Sequence, residues 1–305
     1  MKWVHIAGLT NPVSRIVLGG PFGERSDVES FCLLDRFLEL GGTTIETAHS
    51  YANGAAEKQI GRWLRTREDR KSVVVITKVC HPREGQPSSM SDFDEEFDIS
   101  QERLGVSSID LLLLHRDPTM TPALQVLQTL EERRMKGTIR AYGISNIGGN
   151  RLMEFDRAAE ALGVQGLALV SNYYGLARQA CSPWPGALDL DLLTRRWLSE
   201  RRRPLLCWSA LAQGWFAHRK LPLEFRMVYD TATNRLRRSR VDQVASRMGA
   251  SGIQVALAYT LSAPFDVAAV VGPRSLEELD SIVGALALCL SEQDYLFLRG
   301  KEEEE

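Results

Sequence analysis

The sequence predicts a single (β/α)8 barrel over residues 1–300, with an acidic and disordered tail at 301–305. Three observations favour this fold class. Short apolar runs alternate with longer amphipathic runs along nearly the whole chain, as in a sheet whose strands are joined by helices. The apolar runs are continuous, which is typical of parallel strands covered on both faces. A doubly wound open sheet is the alternative, but no G-x-G-x-x-G follows the first strand.

The strands are predicted where short runs are rich in Val, Ile and Leu and stop at polar residues or glycine. The eight segments with this character are 15–20, 43–46, 72–78, 108–115, 139–146, 167–172, 204–209 and 267–272. The strand at 72–78 contains "VVVIT", and that at 108–115 contains four successive leucines. Eight such strands, each followed by helical sequence, indicate closure into one barrel.

The helices are predicted from apolar stripes with a period near 3.6 residues and from their stop signals. The first pattern, 27–40, ends at Gly41 and Gly42, which suit a helix C-terminus. The further helical patterns are 55–67, 121–137, 150–163, 188–200, 241–248, 253–262 and 275–288. The stretch 216–240 has no clear period, so we expect an irregular loop over the barrel mouth.

Composition excludes several classes of function. A formal net charge of −2 does not fit a nucleic-acid surface or a polybasic membrane patch. No apolar run approaches the ~18 residues that span a bilayer. The five cysteines are scattered and include no C-x-x-C pair, so we expect reduced thiols, no metal site and a cytoplasmic protein. The sequence favours no particular oligomeric state.

Polar residues end three successive strands. Glu46, Lys78 and His115 occupy these positions, and Tyr51 follows five residues after Glu46. In a parallel barrel, residues at the strand ends meet at one mouth. A nearby ammonium lowers the pKa of a phenol from its usual value near 10, and a carboxylate holds the ammonium in place. An imidazole could orient a carbonyl oxygen while the phenol transfers a proton.

Six motifs carry a resemblance to a known family. They are "IETAHSY", "VVVITK", "DLLLLH", "RAYGISN", "WSALAQG" and "VVGPRSLEEL". In this order and spacing the chain resembles the aldo-keto reductases over nearly its whole length. The resemblance implies a barrel that binds NADP, with NAD possible, and exchanges hydride with a carbonyl or alcohol. It implies Tyr51 as general acid and base, Lys78 and Glu46 as its modulators, and His115 as the group that orients the oxygen.

The resemblance also implies two sets of binding residues. The cofactor set is Ser145, Asn146, Ser171, Trp208, Ser209, Leu211, Gln213, Gly214, Gly272, Arg274, Ser275 and Glu278. The residues expected around the substrate are Phe22, His49, His81, Arg116, Tyr173 and Trp184. Aromatic rings with scattered donors and acceptors suit a sugar or sugar derivative. The sequence is similar to bacterial members of the family in "LLHRDP" and "SNYYGLARQ".

Three departures from the family pattern leave alternatives open. Ser171 stands where the family has a Gln that binds the carboxamide, and Glu278 and Ile282 replace the Gln and Asn that often hold the adenosine end. Glu46 stands where the family has Asp, one methylene shorter, so the carboxylate must be placed differently. A regulatory barrel that senses the cofactor with weak turnover is one alternative. A redox-neutral epimerase or lyase that returns the hydride within one catalytic cycle is the other.

Overall fold

The fold was analysed in a computed structural model that describes residues 1–83 and 86–300. Eight parallel strands form a closed barrel, which confirms the predicted fold class. The barrel strands are Ile16–Leu18 (β3), Thr44–Glu46 (β4), Val74–Val79 (β5), Ile109–Leu114 (β6), Ile139–Ser145 (β7), Leu169–Ser171 (β8), Leu205–Cys207 (β9) and Val267–Val271 (β10). Two short antiparallel strands, Trp3–Val4 (β1) and Val13–Ser14 (β2), precede the barrel. The expected acidic tail, 301–305, lies outside the described residues.

Helices cover the outside of the barrel. They are Asp27–Glu39 (α1), Ala55–Arg65 (α2), Phe93–Leu104 (α3), Ala123–Met135 (α4), Gly149–Leu162 (α5), Leu192–Arg201 (α6), Leu223–Tyr229 (α7), Ala232–Met248 (α8), Gly252–Leu261 (α9), Leu276–Gly284 (α10) and Glu292–Arg299 (α11). No helix in the described ranges combines the length and the apolar content that crossing a membrane requires.

The expectation of an irregular loop at 216–240 is wrong, because helices α7 and α8 occupy most of that stretch. Helix α8 begins at a cap in which the Thr231 side chain accepts a hydrogen bond from the backbone N–H of Asn234. Its buried positions follow helical spacing, but the first two are the polar residues Asn234 and Arg237. The sequence therefore shows no apolar stripe at the start of this helix. Arg237 donates to the carbonyl oxygen of Leu176 at 2.7 Å, so it ties the helix to the loop after β8.

Strand register brings the polar strand ends to one mouth. Glu46 is paired with Ile76 across the β4–β5 ladder. Lys78 lies two residues further along β5 and therefore on the same face of the sheet as Ile76. On the next strand, Lys78 pairs with Leu113, and the His115 N–H donates to the Val79 carbonyl at 2.7 Å. These three side chains are therefore set at neighbouring points of the same rim.

Candidate active site

The carboxyl ends of the strands surround a cavity of about 440 Å³. Glu46, Tyr51, Lys78 and His115 all line it. Glu46, Lys78 and His115 are buried, at 4%, 2% and 6% exposure, whereas Tyr51 remains partly accessible. The structure thus brings together the four residues that the strand ends predicted, at one place where a small molecule could reach the phenol.

Lys78 joins the other groups through its ammonium. The Nζ atom donates to the Tyr51 hydroxyl oxygen at 2.8 Å and to the Thr47 carbonyl oxygen at 3.2 Å, and it forms an ion pair with Glu46. An ammonium has three N–H donors, so these three partners satisfy it completely. The position and charge of Lys78 are therefore fixed from three directions.

The loop that carries Tyr51 turns sharply. Ala52, Asn53 and Gly54 have successive left-handed φ angles of 48°, 51° and 85°, after which helix α2 begins. The His49 N–H donates to the Lys78 carbonyl at 2.8 Å, which binds the loop to β5. Left-handed backbone costs free energy at the two non-glycine residues, so tertiary contacts must hold this turn.

Burial sets the protonation of Tyr51. Desolvation raises the pKa of the phenol and the negative charge of Glu46 raises it further, while the ammonium of Lys78 lowers it. Only the effect of the ammonium could be expected from the sequence. The structure shows that the first two outweigh it, so Tyr51 is protonated at neutral pH and is equipped to give up a proton.

His115 is held in its neutral form. Burial, with the positive charge of Lys78 as the next cause, lowers the pKa of the imidazole well below its usual value. The ring lies edge-on to Tyr51 and to His81, with centroid separations of 5.5 Å and 4.5 Å. Its Nδ1 atom has no hydrogen-bond partner among the described residues. A neutral imidazole here can donate one N–H to an oxygen atom beside the phenol.

Most of the expected cofactor residues line the same cavity. They are Ser145, Asn146, Trp208, Ser209, Leu211, Gln213, Gly214, Gly272, Arg274 and Glu278. Asn146 also has a structural task, since its amide donates to the His115 carbonyl at 3.2 Å and accepts from the Leu188 N–H at 3.0 Å. The Trp208 indole N–H is buried and has no partner within the described chain.

Two of the expected cofactor residues do not line the cavity. Ser275 is the N-cap of α10, where its hydroxyl accepts from the Glu278 N–H at 3.2 Å. Ser171 is buried behind the rim, and its carbonyl accepts from the Ser145 hydroxyl at 2.9 Å. Both residues therefore form hydrogen bonds with residues that line the cavity and do not line it themselves.

Three of the expected substrate residues, His81, Arg116 and Trp184, line the cavity, and three do not. Phe22 is 3% exposed and packs in the core between barrel and helices. His49 turns outward, with its Nδ1 atom 3.2 Å from the Ser100 hydroxyl. Tyr173 is buried, and its hydroxyl donates to the Ala177 carbonyl at 2.7 Å. Tyr173 also packs against the rings of Trp208 and Tyr229, so contacts with residues distant in sequence help to hold all three away from the cavity.

Several residues that line the cavity were not expected from the sequence, namely Gly19, Gly20, Arg219, Ile253, Val270 and Val271. Gly19 leaves room for the site, because a Cβ atom there would lie 2.7 Å from a Val270 methyl group and 3.4 Å from a carboxylate oxygen of Glu46. The Gly-Gly pair after the first strand was the available signal. Arg219 forms an ion pair with Glu278 at 2.7 Å across the mouth, and nothing local in the sequence indicates that.

Comparisons with known proteins agree with this architecture. The model of the Aldo/keto reductase family matches residues 15–303. The norsolorinic acid reductase stcV of Emericella nidulans is 27% identical over 288 residues, covering 89% of this chain and 71% of its own. The uncharacterized oxidoreductase YrpG of Bacillus subtilis is 25% identical and covers 96% of this chain and 93% of its own. A crystal structure of an aldo/keto reductase from Klebsiella pneumoniae in complex with NADP and acetate superposes with a TM-score of 0.76 at 24% identity, covering 97% of this chain and 94% of that one.

Proposed function

The chain belongs to the aldo/keto reductase family and is therefore an oxidoreductase, and we propose that it uses NADP(H) to interconvert a carbonyl compound and its alcohol. One observation carries the proposal. The Tyr51 phenol accepts a hydrogen bond from Lys78, which is paired with Glu46, and all three border a cavity with a neutral His115. This arrangement can deliver a proton to a carbonyl oxygen.

The cavity fits a nicotinamide dinucleotide. Gly20 and Gly272 lie next to each other in its lining, where a Cβ on Gly20 would be 3.8 Å from the Gly272 Cα, and the lack of side chains there lets a ligand approach the backbone closely. Arg219 and Arg274 supply positive charge for phosphate groups. Trp208 lines the wall and offers an aromatic face. When bound, the nicotinamide would donate or accept the hydride.

The remaining cofactor contacts are assigned as a proposal. Ser145, Asn146 and Trp208 would hold the nicotinamide end. The pyrophosphate would follow the segment Ser209, Leu211, Gln213 and Gly214, and the adenosine end would lie by Gly272, Arg274 and Glu278. Arg274 supports NADP over NAD because a guanidinium binds a 2′-phosphate well, while the carboxylate of Glu278 is already held by Arg219.

The protein groups divide the chemistry of reduction between them. The neutral imidazole of His115 donates an N–H to the carbonyl oxygen and so stabilises the negative charge that develops there. Tyr51 gives its proton to that oxygen. Lys78 stabilises the phenolate that remains, and Glu46 keeps the ammonium charged and in place. Oxidation of the alcohol follows the same path in reverse.

The proposed substrate is a small and polar carbonyl compound, such as a sugar or sugar derivative. Trp184, His81 and Arg116 support this, because an aromatic face combined with hydrogen-bonding groups suits such a ligand. We also propose a cytoplasmic location, which is supported by five cysteines that are all unpaired.

A substrate screen with NADPH and with NADH tests the proposal. We expect NADPH oxidation with some members of a panel of aldehydes, ketones and keto sugars, at a higher kcat/KM than with NADH. Cofactor binding detected by fluorescence quenching without turnover of any member would instead indicate a sensor. Conversion of a sugar without net change in NADPH absorbance would indicate a redox-neutral enzyme.

The pH dependence of the rate follows from the protonation of Tyr51 and His115. The raised pKa of Tyr51 keeps the phenol protonated into the alkaline range. The lowered pKa of His115 moves its titration below the usual value near 6.5. We expect log kcat/KM for carbonyl reduction to stay level between about pH 6 and pH 9, above the pH at which His115 becomes charged and below the pH at which Tyr51 ionises. Initial rates at saturating NADPH measure this. A fall in rate centred near pH 6.5 or pH 8 would contradict the protonation states assigned here.

Glu46→Asp tests the longer carboxylate. Glu46 reaches Lys78 directly, and its carboxylate fills the space above Gly19, so the site is built around a glutamate. Shortening the side chain withdraws the carboxylate by roughly one methylene, and a displacement of ~1 Å can cost on the order of 100-fold in rate. We expect kcat to fall at least about 10-fold with little change in melting temperature. Equal or higher kcat would mean that the glutamate is merely tolerated.

A further inference from the structure

Arg116 is a buried cation without an acidic partner. The residue is 8% exposed and lines the cavity. Its Nε donates to the Pro185 carbonyl at 3.2 Å and its Nη1 donates to the His115 carbonyl at 2.8 Å. No carboxylate within residues 1–83 and 86–300 forms an ion pair with it, and the adjacent Asp117 is paired with Arg151 at 3.2 Å. Two of its five N–H donors are therefore used, and both bind neutral oxygens.

The other buried or half-buried charges of the cavity are compensated. Lys78 is paired with Glu46, and Arg219 with Glu278. A charge removed from water without an opposite charge is costly to the folded protein. Arg116 thus differs from these charges, because no opposite charge compensates it. An anion that binds in the cavity would reduce the free-energy cost of burying its guanidinium.

The guanidinium lies close to the reacting groups. Its Nη1 atom donates to the carbonyl oxygen of His115, and its side chain lines the same cavity as Tyr51, His81 and His115. The loop at Pro185 and Gly186 borders its stem: the Nε atom donates to the Pro185 carbonyl oxygen, and Gly186, where φ is 69°, leaves room for the stem because a Cβ there would lie 3.4 Å from the Cδ and Nε atoms. Arg116 is therefore a fixed positive charge beside the place where a carbonyl oxygen would meet Tyr51 and His115.

We propose that Arg116 makes this site selective for carbonyl substrates that carry a carboxylate. The planar guanidinium still has three N–H donors, and a carboxylate can accept two of them in parallel. A substrate such as an oxo acid or a sugar acid would place its carboxylate on Arg116 and its carbonyl between His115 and Tyr51. This inference rests on the proposed carbonyl reduction and names its substrate class.

The test compares two substrates of nearly the same size and shape, one charged and one neutral: 4-carboxybenzaldehyde and its amide, 4-formylbenzamide. With wild-type protein and NADPH, we expect kcat/KM to favour the acid by about 10- to 100-fold, as a charge-assisted pair of hydrogen bonds would give. In Arg116→Gln the ratio should fall to near 1, mostly through a higher KM for the acid. Arg116→Lys should keep part of the preference, because it keeps the positive charge but loses the planar group that can donate two parallel hydrogen bonds to a carboxylate.

Arg157→Gln is the matched control. Arg157 is an exposed arginine on α5, outside the cavity lining, so this variant loses the same net charge without touching the site. It should retain the wild-type preference for the acid. A wild-type ratio near 1, or a ratio that Arg116→Gln leaves unchanged, would overturn the proposal.

A binding measurement separates this inference from the proposed reaction. Trp184 and Trp208 line the cavity, so tryptophan fluorescence can report the binding of benzoate and of benzamide to the protein with NADP. We expect benzoate to bind more tightly than benzamide, and Arg116→Gln to remove the difference. If no carbonyl compound is reduced but benzoate binds more tightly than benzamide and Arg116→Gln removes the difference, the proposed reaction is wrong. The recognition of a carboxylate by Arg116 is then still supported. If benzoate binds no better than benzamide, the recognition itself is wrong.

Discussion

Replacement of Tyr51 by Phe is expected to abolish turnover while leaving cofactor affinity nearly intact. The change removes the hydroxyl that accepts from Lys78 at 2.8 Å and keeps the ring. Loss of a positioned acid typically lowers the rate by 10²- to 10⁴-fold, so kcat for carbonyl reduction should fall by at least about 100-fold. The hydroxyl acts on the substrate, so the Kd for NADPH, measured by fluorescence, should change little.

Tyr142→Phe is the control for the loss of a tyrosine hydroxyl. Tyr142 is buried and its hydroxyl donates to Glu131, away from the cavity. This variant should lose some stability, about 1 kcal/mol or more, and retain kcat. Reduction by Tyr51→Phe at an undiminished rate would show that another group donates the proton.

Replacement of Lys78 by Met is expected to damage both stability and turnover. Lys78 and Glu46 are 2% and 4% exposed and form a buried ion pair. Removing one partner of such a pair leaves a buried charge uncompensated, which typically costs about 3–5 kcal/mol. We expect the free energy of unfolding at pH 7, measured with denaturant, to fall by that amount, and kcat to fall at least as far as in Tyr51→Phe.

A double variant separates these two effects. Lys78→Met with Glu46→Gln has no charge left at the pair, so it should recover a large part of the lost stability. It should recover no turnover, because the phenolate formed at Tyr51 still lacks its ammonium. If Lys78→Met unfolds at the same denaturant concentration as the wild type, the ion pair contributes little in solution and the account of the site is wrong.

The barrel was predictable because buried parallel strands have a simple signature. Strands such as Val74–Val79 and Ile109–Leu114 are buried at every position and mostly apolar, and this shows directly in the sequence. Helix Phe93–Leu104 was missed, since its buried stripe of Phe93, Phe97, Ser100 and Leu104 is interrupted by a serine and surrounded by acidic residues. The bounds of a helix with a polar face depend on what it packs against, and a single sequence does not contain that information.

The site was predictable where residues lie at strand ends and less so where they lie on loops. Lys78 lies at the carboxyl end of β5 and His115 directly follows β6, so the topology alone brings them together. His49 lies only two residues before Tyr51, yet Ser100 and Arg103 on helix α3 hold it outside the cavity. Arg219 lines the cavity and forms an ion pair there with Glu278, which is distant in sequence. Such side-chain directions depend on tertiary contacts.

Transfer of a label from cofactor to product tests the central claim most directly. Wild-type protein would be incubated with NADPH carrying deuterium at both C4 positions of the nicotinamide and with a reducible carbonyl compound, and the product alcohol analysed by mass spectrometry. We predict one deuterium per product molecule, bound to the former carbonyl carbon, for each NADPH oxidised, and almost no labelled product from Tyr51→Phe. Product without deuterium, or deuterium that stays in an unoxidised cofactor while substrate is converted, would contradict carbonyl reduction at this site.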